Sequence, residues 1–311
     1  MERAVTWSWP PLPLAQWEDT YATLHMWTQI VGKTRLALAP MVNHWWQVAL
    51  YVSARGLATS PMPCGARTFE AEFDFLDHLL RLRTSDGRTA TLALRPRSVA
   101  DFHQEYQGLL ASLGLEARIR PVPVEVARAV PFAEDREHAS YDGDAAQRCF
   151  GALLQADRVL KEFRGRFLGK CSPVNFFWGS FDLACTRFSG RSAPAHPGGA
   201  PNCPDYVMRE AYSHECISAG WWPGGGAMRE PAFYAYAYPE PAELPRAAIL
   251  PARAYYHPEL REFILPYESV RTAAKPDEAL LSFLQSTYQA AADLAGWDPA
   301  LQRRKQQRED R

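Results

Sequence analysis

Imidazoles and carboxylates have the widest chemical reach near neutral pH, because a neutral imidazole takes a proton or binds a metal and a carboxylate completes either set. Of the eight histidines, His44, His214 and His25, together with Glu215, are the candidates for a general base or a metal ligand. A divalent metal such as zinc, manganese or non-haem iron is the cofactor that such a set would suit. His214 and Glu215 are consecutive, so on a regular strand they point to opposite faces, which weighs against both entering one site. Tyr21, His25 and Gln29 recur at every fourth position, and a helix would stack them as one polar track. With Arg35 or Arg187 as the cation for an anionic substrate group, the expected pocket places Tyr21, Arg35, Asn43, Trp46, Asn175, Trp178 and Arg187 around the catalytic candidates. Each also has a structural use, as a hydrogen-bonded core histidine, a buried polar network or a packed ring. His196, between Ala195 and Pro197, is expected in solvent, and Asp74 and Asp77 on a solvated strand edge.

The common nucleotide, zincin and hydrolase signatures are absent: there is no GxxxxGK[ST], no GxGxxG after a strand, no HExxH, no GxSxG and no CxxC pair. Six cysteines, none in a nucleophile's setting, are expected as reduced thiols, with Cys149 and Cys185 filling the core. Aromatic clusters stand out. Trp45-Trp46, Phe176-Phe177-Trp178, Trp221-Trp222 and Tyr234-Ala235-Tyr236-Ala237-Tyr238 suit either a core or a recognition surface, and the last places its phenols on one face. With 34 basic and 35 acidic side chains the net charge is −1, which leaves no global field for nucleic acid or an anionic membrane. The basic run Arg303-Arg304-Lys305 is confined to the tail. The start, at residues 1–7, lacks a signal peptide's apolar core, and no apolar run approaches the roughly 18 residues of a span. A cytoplasmic protein with no nucleic-acid or membrane partner is the expectation.

The elements that must position these side chains follow from periodicity. Residues 14–32 repeat as a helix that stops at Gly32-Lys33; 45–54 read as a buried strand; 68–75 alternate with Phe69, Ala71, Phe73 and Phe75 on one side. A hairpin joins 78–83 to 89–94 through Ser85-Asp86-Gly87-Arg88, and Ser98 caps a helix that ends before Gly114. Residues 121–143, rich in Pro and charge, read as a strand and then a connector. Beyond it come a helix over 144–166, a strand over 174–188 interrupted at Gly179, a Pro/Gly loop, a short helix over 205–212, strands over 213–222 and 232–238, a hairpin within 253–267 and a helix over 277–295. An offset of 132 places Asn43 on Asn175, Trp46 on Trp178, Arg55 on Arg187 and Ser60 on Ser192, which suggests an internal duplication.

The stretches WEDTYATLHMWTQIVGK, NHWW, VNFFWGSFDLACTRFSGR, YSHE and EFILPYESVRTA resemble a family of bacterial proteins grouped as a domain of unknown function, over nearly the whole chain. That resemblance implies no activity, cofactor or catalytic residue. The expectation is therefore an α+β protein of two similar lobes, each an antiparallel sheet flanked by helices: residues 1–125, a connector at 126–143, residues 144–301 and a charged tail at 302–311. The leading function is a small-molecule enzyme with its pocket between the lobes. The alternative is a non-catalytic ligand-binding or assembly protein with an aromatic interface.

Overall fold

Helix α1 (Glu18–Leu38) enters from a 3-10 turn (Leu14–Gln16) and is buried almost continuously from Leu24 to Arg35. A helix covered on all sides is an interior element rather than an amphipathic surface one. In the computed structural model, which describes residues 8–226 and 228–302, it packs against α2 (Val99–Ser112) and α3 (Gly143–Gly165). Gly32 does not stop α1. A Cβ there would lie 2.3 Å from the Trp178 ring, so glycine makes room for the indole and the helix runs on by six residues. The expected features at residues 1–7 and in the basic tail beyond residue 302 lie outside the described residues.

Two six-stranded antiparallel sheets follow, as the α+β reading requires. The first has the order β1 (Tyr51–Val52), β2 (Gly56–Ala58), β4 (Arg67–Asp74), β5 (Leu79–Thr84), β6 (Thr89–Ala93), with β3 (Met62–Cys64) continuing the β2 edge of β4. Its Asp-Gly hairpin and its Ser98-capped helix form where local sequence put them, with Gly87 at φ 84° and the Ser98 hydroxyl accepting from the Asp101 N–H at 3.1 Å. The second sheet joins β7 (Asn175–Phe177), β8 (Asp182–Ser192), β9 (His214–Trp222), β10 (Ala232–Tyr238), β12 (Glu262–Pro266) and β11 (Tyr255–His257) in that spatial order. α4 (Asp205–Ala211) lies between β8 and β9, and α5 (Tyr267–Arg271) leads to α6 (Pro276–Leu294). Leu50 and Phe176 exchange backbone hydrogen bonds of 2.9 and 2.8 Å, tying the edge of one sheet to the edge of the other. One apolar core runs from Trp9 to Trp297 through both.

Several expectations are corrected. Residues 43–48 form a 3-10 segment, not the start of a strand, with His44 at φ 59° and Trp45 at φ 62°. Tertiary bonds outweigh β propensity there: Arg35 donates to the Gln47 carbonyl, and the Gln47 side chain accepts from the Val42 N–H. The offset of 132 therefore lays a 3-10 segment on β7 and the β1–β2 hairpin on β8, so it superposes unlike elements; what the halves share is the order helix, sheet, helix. No strand is described between residues 115 and 142.

The polar face of β4 is not solvated either. Asp74 is fully buried and receives Arg55 Nε at 2.5 Å, Arg81 Nε at 3.1 Å and the N–H groups of Leu76 and Asp77 at 3.0 and 2.9 Å. Burial alone would raise its pKa, but these donors together hold it at about 2. That lies below the value of about 4 of an unfolded carboxyl, so the contribution to stability is complete above about pH 4 and is lost as pH falls through about 2. Asp74→Asn should cost about 2 kcal/mol in urea unfolding at pH 7. It should also flatten the loss of stability between pH 4 and 2 relative to the parent; equal acid sensitivity in both proteins would refute this account.

Candidate functional site

Alternation along the second sheet divides its side chains cleanly. Leu183, Cys185 and Arg187 of β8 face α3, while Asp182, Ala184 and Thr186 face the other way, and register carries this to Gly220 and Trp222 of β9 and to Tyr234, Tyr236 and Tyr238 of β10. On this second face lies a cavity of about 750 Å³, lined among others by Glu125, Asp182, Trp222, Tyr234, Tyr236 and Glu262. Gly220 is needed here. A Cβ at that position would stand 2.1 Å from the Leu183 carbonyl and 2.5 Å from the Tyr234 hydroxyl, so glycine lets the phenol lie across β9. That hydroxyl donates to Asp182, whose other oxygen accepts from Ser180 at 2.5 Å.

Glu125 comes from the connector, and the polar track of α1 places it there. Gln29, fully buried, binds Val124 as a strand would: its Oε1 accepts from the Val124 N–H and its Nε2 donates to the Val124 carbonyl, each at 2.9 Å. Glu125 itself adopts φ 59° and donates its N–H to the Pro201 carbonyl at 2.7 Å. Its carboxyl rests on Gly179, where a Cβ would meet Oε1 at 2.1 Å. His25 Nε2 holds the Gly179 carbonyl at 2.8 Å. Burial lowers the His25 pKa to about 4, so near neutral pH its ring is uncharged and donates from Nε2. The track thus fixes two walls of the cavity from beneath.

The electrostatics are one-sided. Glu125 is exposed to the open volume of the cavity, and the protein packed around it, reinforced by Asp182, raises its pKa to about 7. The same causes raise Glu262 to about 7, and burial raises Asp182 despite its two hydroxyl donors. At the rim Arg261 is engaged by Glu240, which also accepts from Tyr256. His196, expected in solvent, instead stacks on Tyr212 with ring centroids 4.7 Å apart and forms part of the wall, and Tyr212 and Tyr236 share a hydroxyl hydrogen bond of 2.7 Å.

None of the expected site residues lines this cavity. His44 and His214 do meet, with ring centroids 5.5 Å apart, and Trp46 joins them; but His44 Nδ1 is bonded to the Ala211 carbonyl at 3.0 Å and its ring packs on Phe188. Asn43 is exposed beside them. Glu215 leaves on the opposite side of the strand and pairs with Arg191 and Ser189. Tyr21 stacks on His25 and meets the Phe181 ring edge-on. Arg35 is committed to Gln47 and Ser60, and Trp178 donates to the Val48 carbonyl at 2.8 Å. Asn175 is fully buried, and its carboxamide has no partner. Arg187 points into the core, away from the cavity. Among the described residues no three His, Cys, Asp or Glu side chains converge as a metal-binding group, so the expected metal set does not assemble there. Lys33, which continues the α1 spacing of Tyr21, His25 and Gln29, is buried over the Trp178 ring at 5.8 Å, with its pKa lowered to about 8 by burial and by Arg120.

The chain belongs to a family of unknown function (DUF5996), whose model matches residues 9–304. Neither the curated proteins nor the solved structures contain a match. No described helix is long and apolar enough to cross a membrane.

If Gln29 positions the connector, Gln29→Ala should leave the half-buried Val124 N–H and carbonyl without their partner and cost about 1 kcal/mol. Amide exchange should then accelerate at Val124 and Glu125 by tenfold or more, with α6 unchanged. Unaltered protection of Val124 would show that the connector is held by other contacts.

Proposed function

We propose that this chain is a small-molecule enzyme whose substrate carries an organic cation, an amine or a quaternary ammonium, and that its site is the tyrosine- and carboxyl-lined cavity on the second sheet. One observation carries the reading: Asp182, Glu125 and Glu262 surround a single cavity, while the arginine on its lining, Arg261, is already engaged by Glu240. Carboxyls crowded without a cation are costly to ionise, and a bound ammonium group relieves that cost. The phenol rings and Trp222 add aromatic faces to which a cation is attracted. The acids stand apart around the space rather than converging, a spacing better suited to an organic ion than to a metal.

In this reading Asp182, steadied by Ser180 and Tyr234, is the counter-ion. Glu125 and Glu262, with pKa values near 7, gain and lose protons at working pH and serve as acid and base. Lining residues such as Ile264 and Ala232 supply apolar contact for the substrate's carbon frame. Six free cysteines are in keeping with a cytoplasmic setting.

Calorimetry with choline and with 1,5-diaminopentane, against 1-pentanol as the neutral control, tests the binding step. One amine should bind, with protons released near pH 6.5, and its affinity should fall about tenfold or more from pH 7.5 to 5.5 as the glutamates become neutral. Asp182→Asn should abolish binding while leaving the fold intact. Equal binding of the alcohol, or affinity that rises as pH falls, would overturn the reading; binding without turnover of any amine would leave a ligand-binding protein.

A further inference from the structure

On the core face of β8, Arg187 is fully buried with its guanidinium over the ring of Phe163 at 3.4 Å and near those of Tyr288 and Phe167 at 4.3 and 5.0 Å. Its Nη2 donates to the Phe163 carbonyl, whereas Nε and Nη1 have no partner. A buried cation needs an anion or a full set of acceptors, and no described carboxylate forms an ion pair with this one. The ionisable groups that act on it are the thiols of Cys185 and Cys171, the Tyr288 phenol of α6 and the repelling Arg166. Residues 170–172 run antiparallel to 186–188, with Ser172 N–H on the Thr186 carbonyl at 2.8 Å and Phe188 N–H on the Lys170 carbonyl at 3.0 Å. This pairing sets Cys171 beside Arg187 and brings its Sγ to 3.6 Å from Cys185 Sγ. Cys171 is half-buried and Cys185 buried.

We propose that Cys171 and Cys185 are a peroxide-reactive dithiol, with Cys171 as the attacking thiolate and Cys185 as the thiol that resolves it. Arg187, together with Arg164 of α3, whose Nε donates to the Ser172 carbonyl at 2.6 Å, supplies positive charge to the attacking sulfur. The contact with the Cys185 thiol and then the two arginines hold the Cys171 pKa below that of an ordinary thiol, while the same contact raises Cys185. The Cys171 thiolate attacks one oxygen of hydrogen peroxide, breaking the O–O bond, and the departing hydroxide takes a proton to become water. Cys185 sulfur then attacks the Cys171 sulfenic acid; the S–S bond forms as the S–O bond breaks, and the Cys185 proton leaves with the hydroxyl as a second water. Two thiols lose two electrons and one peroxide gains them. The sulfurs are already in contact and need to close only to the roughly 2 Å of a disulfide.

One equivalent of hydrogen peroxide added to the reduced full chain should remove two of its six thiols and yield a Cys171–Cys185 linked peptide, reversed by dithiothreitol. At pH 6.5 iodoacetamide should alkylate Cys171 at least tenfold faster than Cys64 or Cys203, the other half-buried thiols. In Cys185→Ser the reaction should stop at a Cys171 sulfenic acid that dimedone captures, and Cys171→Ser should be inert to the same dose; near-UV circular dichroism confirms that each variant is folded. Prior oxidation of Cys64 or Cys203, a disulfide between chains, or Cys171 alkylation that rises only above about pH 8.5 as for a free thiol, would overturn the assignment.

Discussion

A helix enclosed on every side must find partners inside the protein for each polar group it carries, and α1 is such a helix. Its apolar residues alone would anchor it. The glutamine and histidine do something else: they bind the backbone of the connector at Val124 and the carbonyl at the Gly179 turn, two segments far apart in sequence, while Tyr21 stacks on His25 and meets Phe181 just beyond that turn. Those segments are the walls of the cavity. Leaving any of these partly buried groups unpaired costs about a kilocalorie, so the track behaves as a jig: the connector and the β7–β8 turn are held where the helix dictates. Glu125 at φ 59° is the visible result, because a non-glycine residue remains in that conformation only where its surroundings over-determine it.

The same strand carries two opposite electrostatic problems. Asp182 and Arg187 are separated by an odd number of positions on β8, so the pleat sends the acid to one face of the sheet and the guanidinium to the other. They cannot pair. Each is instead steadied by neutral groups: two hydroxyls for the acid, three aromatic rings and one carbonyl for the cation. Neutral partners lower the cost of burial without cancelling the charge, which leaves an uncompensated group on each face and is what the proposed cationic ligand and the proposed thiolate would answer. A sheet with Asp and Arg on one face would have satisfied itself and had no electrostatic use for a ligand or a thiolate.

Much of this fold is legible in the chain because it is set locally. The Asp-Gly hairpin, the Ser98 cap, the helices over α3 and α6 and the alternation of β4 all depend on residues within one or two turns of each other, and they form where periodicity placed them. The shared face of Tyr234, Tyr236 and Tyr238 is of the same kind, a matter of parity, and it became the floor of the cavity. What failed was decided at a distance. Trp45 to Ala54 has strand-like composition, yet Arg35 and the Ala211 carbonyl hold its first half in a 3-10 segment. Asp74 alternates as an exposed residue, but two arginines and two amides close over it. Glu125 and Glu262 carry no local mark at all, since each is a lone acid in an unremarkable stretch until the chain brings both to Asp182.

The histidines show why residue type is a weaker guide than unmet demand. His44 and His214 do come together, as a metal or acid–base site would need, and yet one ring is bonded through Nδ1 to a backbone carbonyl and pressed against Phe188, where it helps hold α4 to the 3-10 segment. An imidazole so engaged is part of the frame. A carboxyl that faces open volume, with its pKa displaced by lost solvation and with no donor charged enough to restore it, has no comparable structural use. Chemistry is thus better sought where the fold leaves a polar group unsatisfied than where the sequence supplies a reactive one, and here that criterion favours, as the proposed site, the acids around the tyrosines over the histidines near α4.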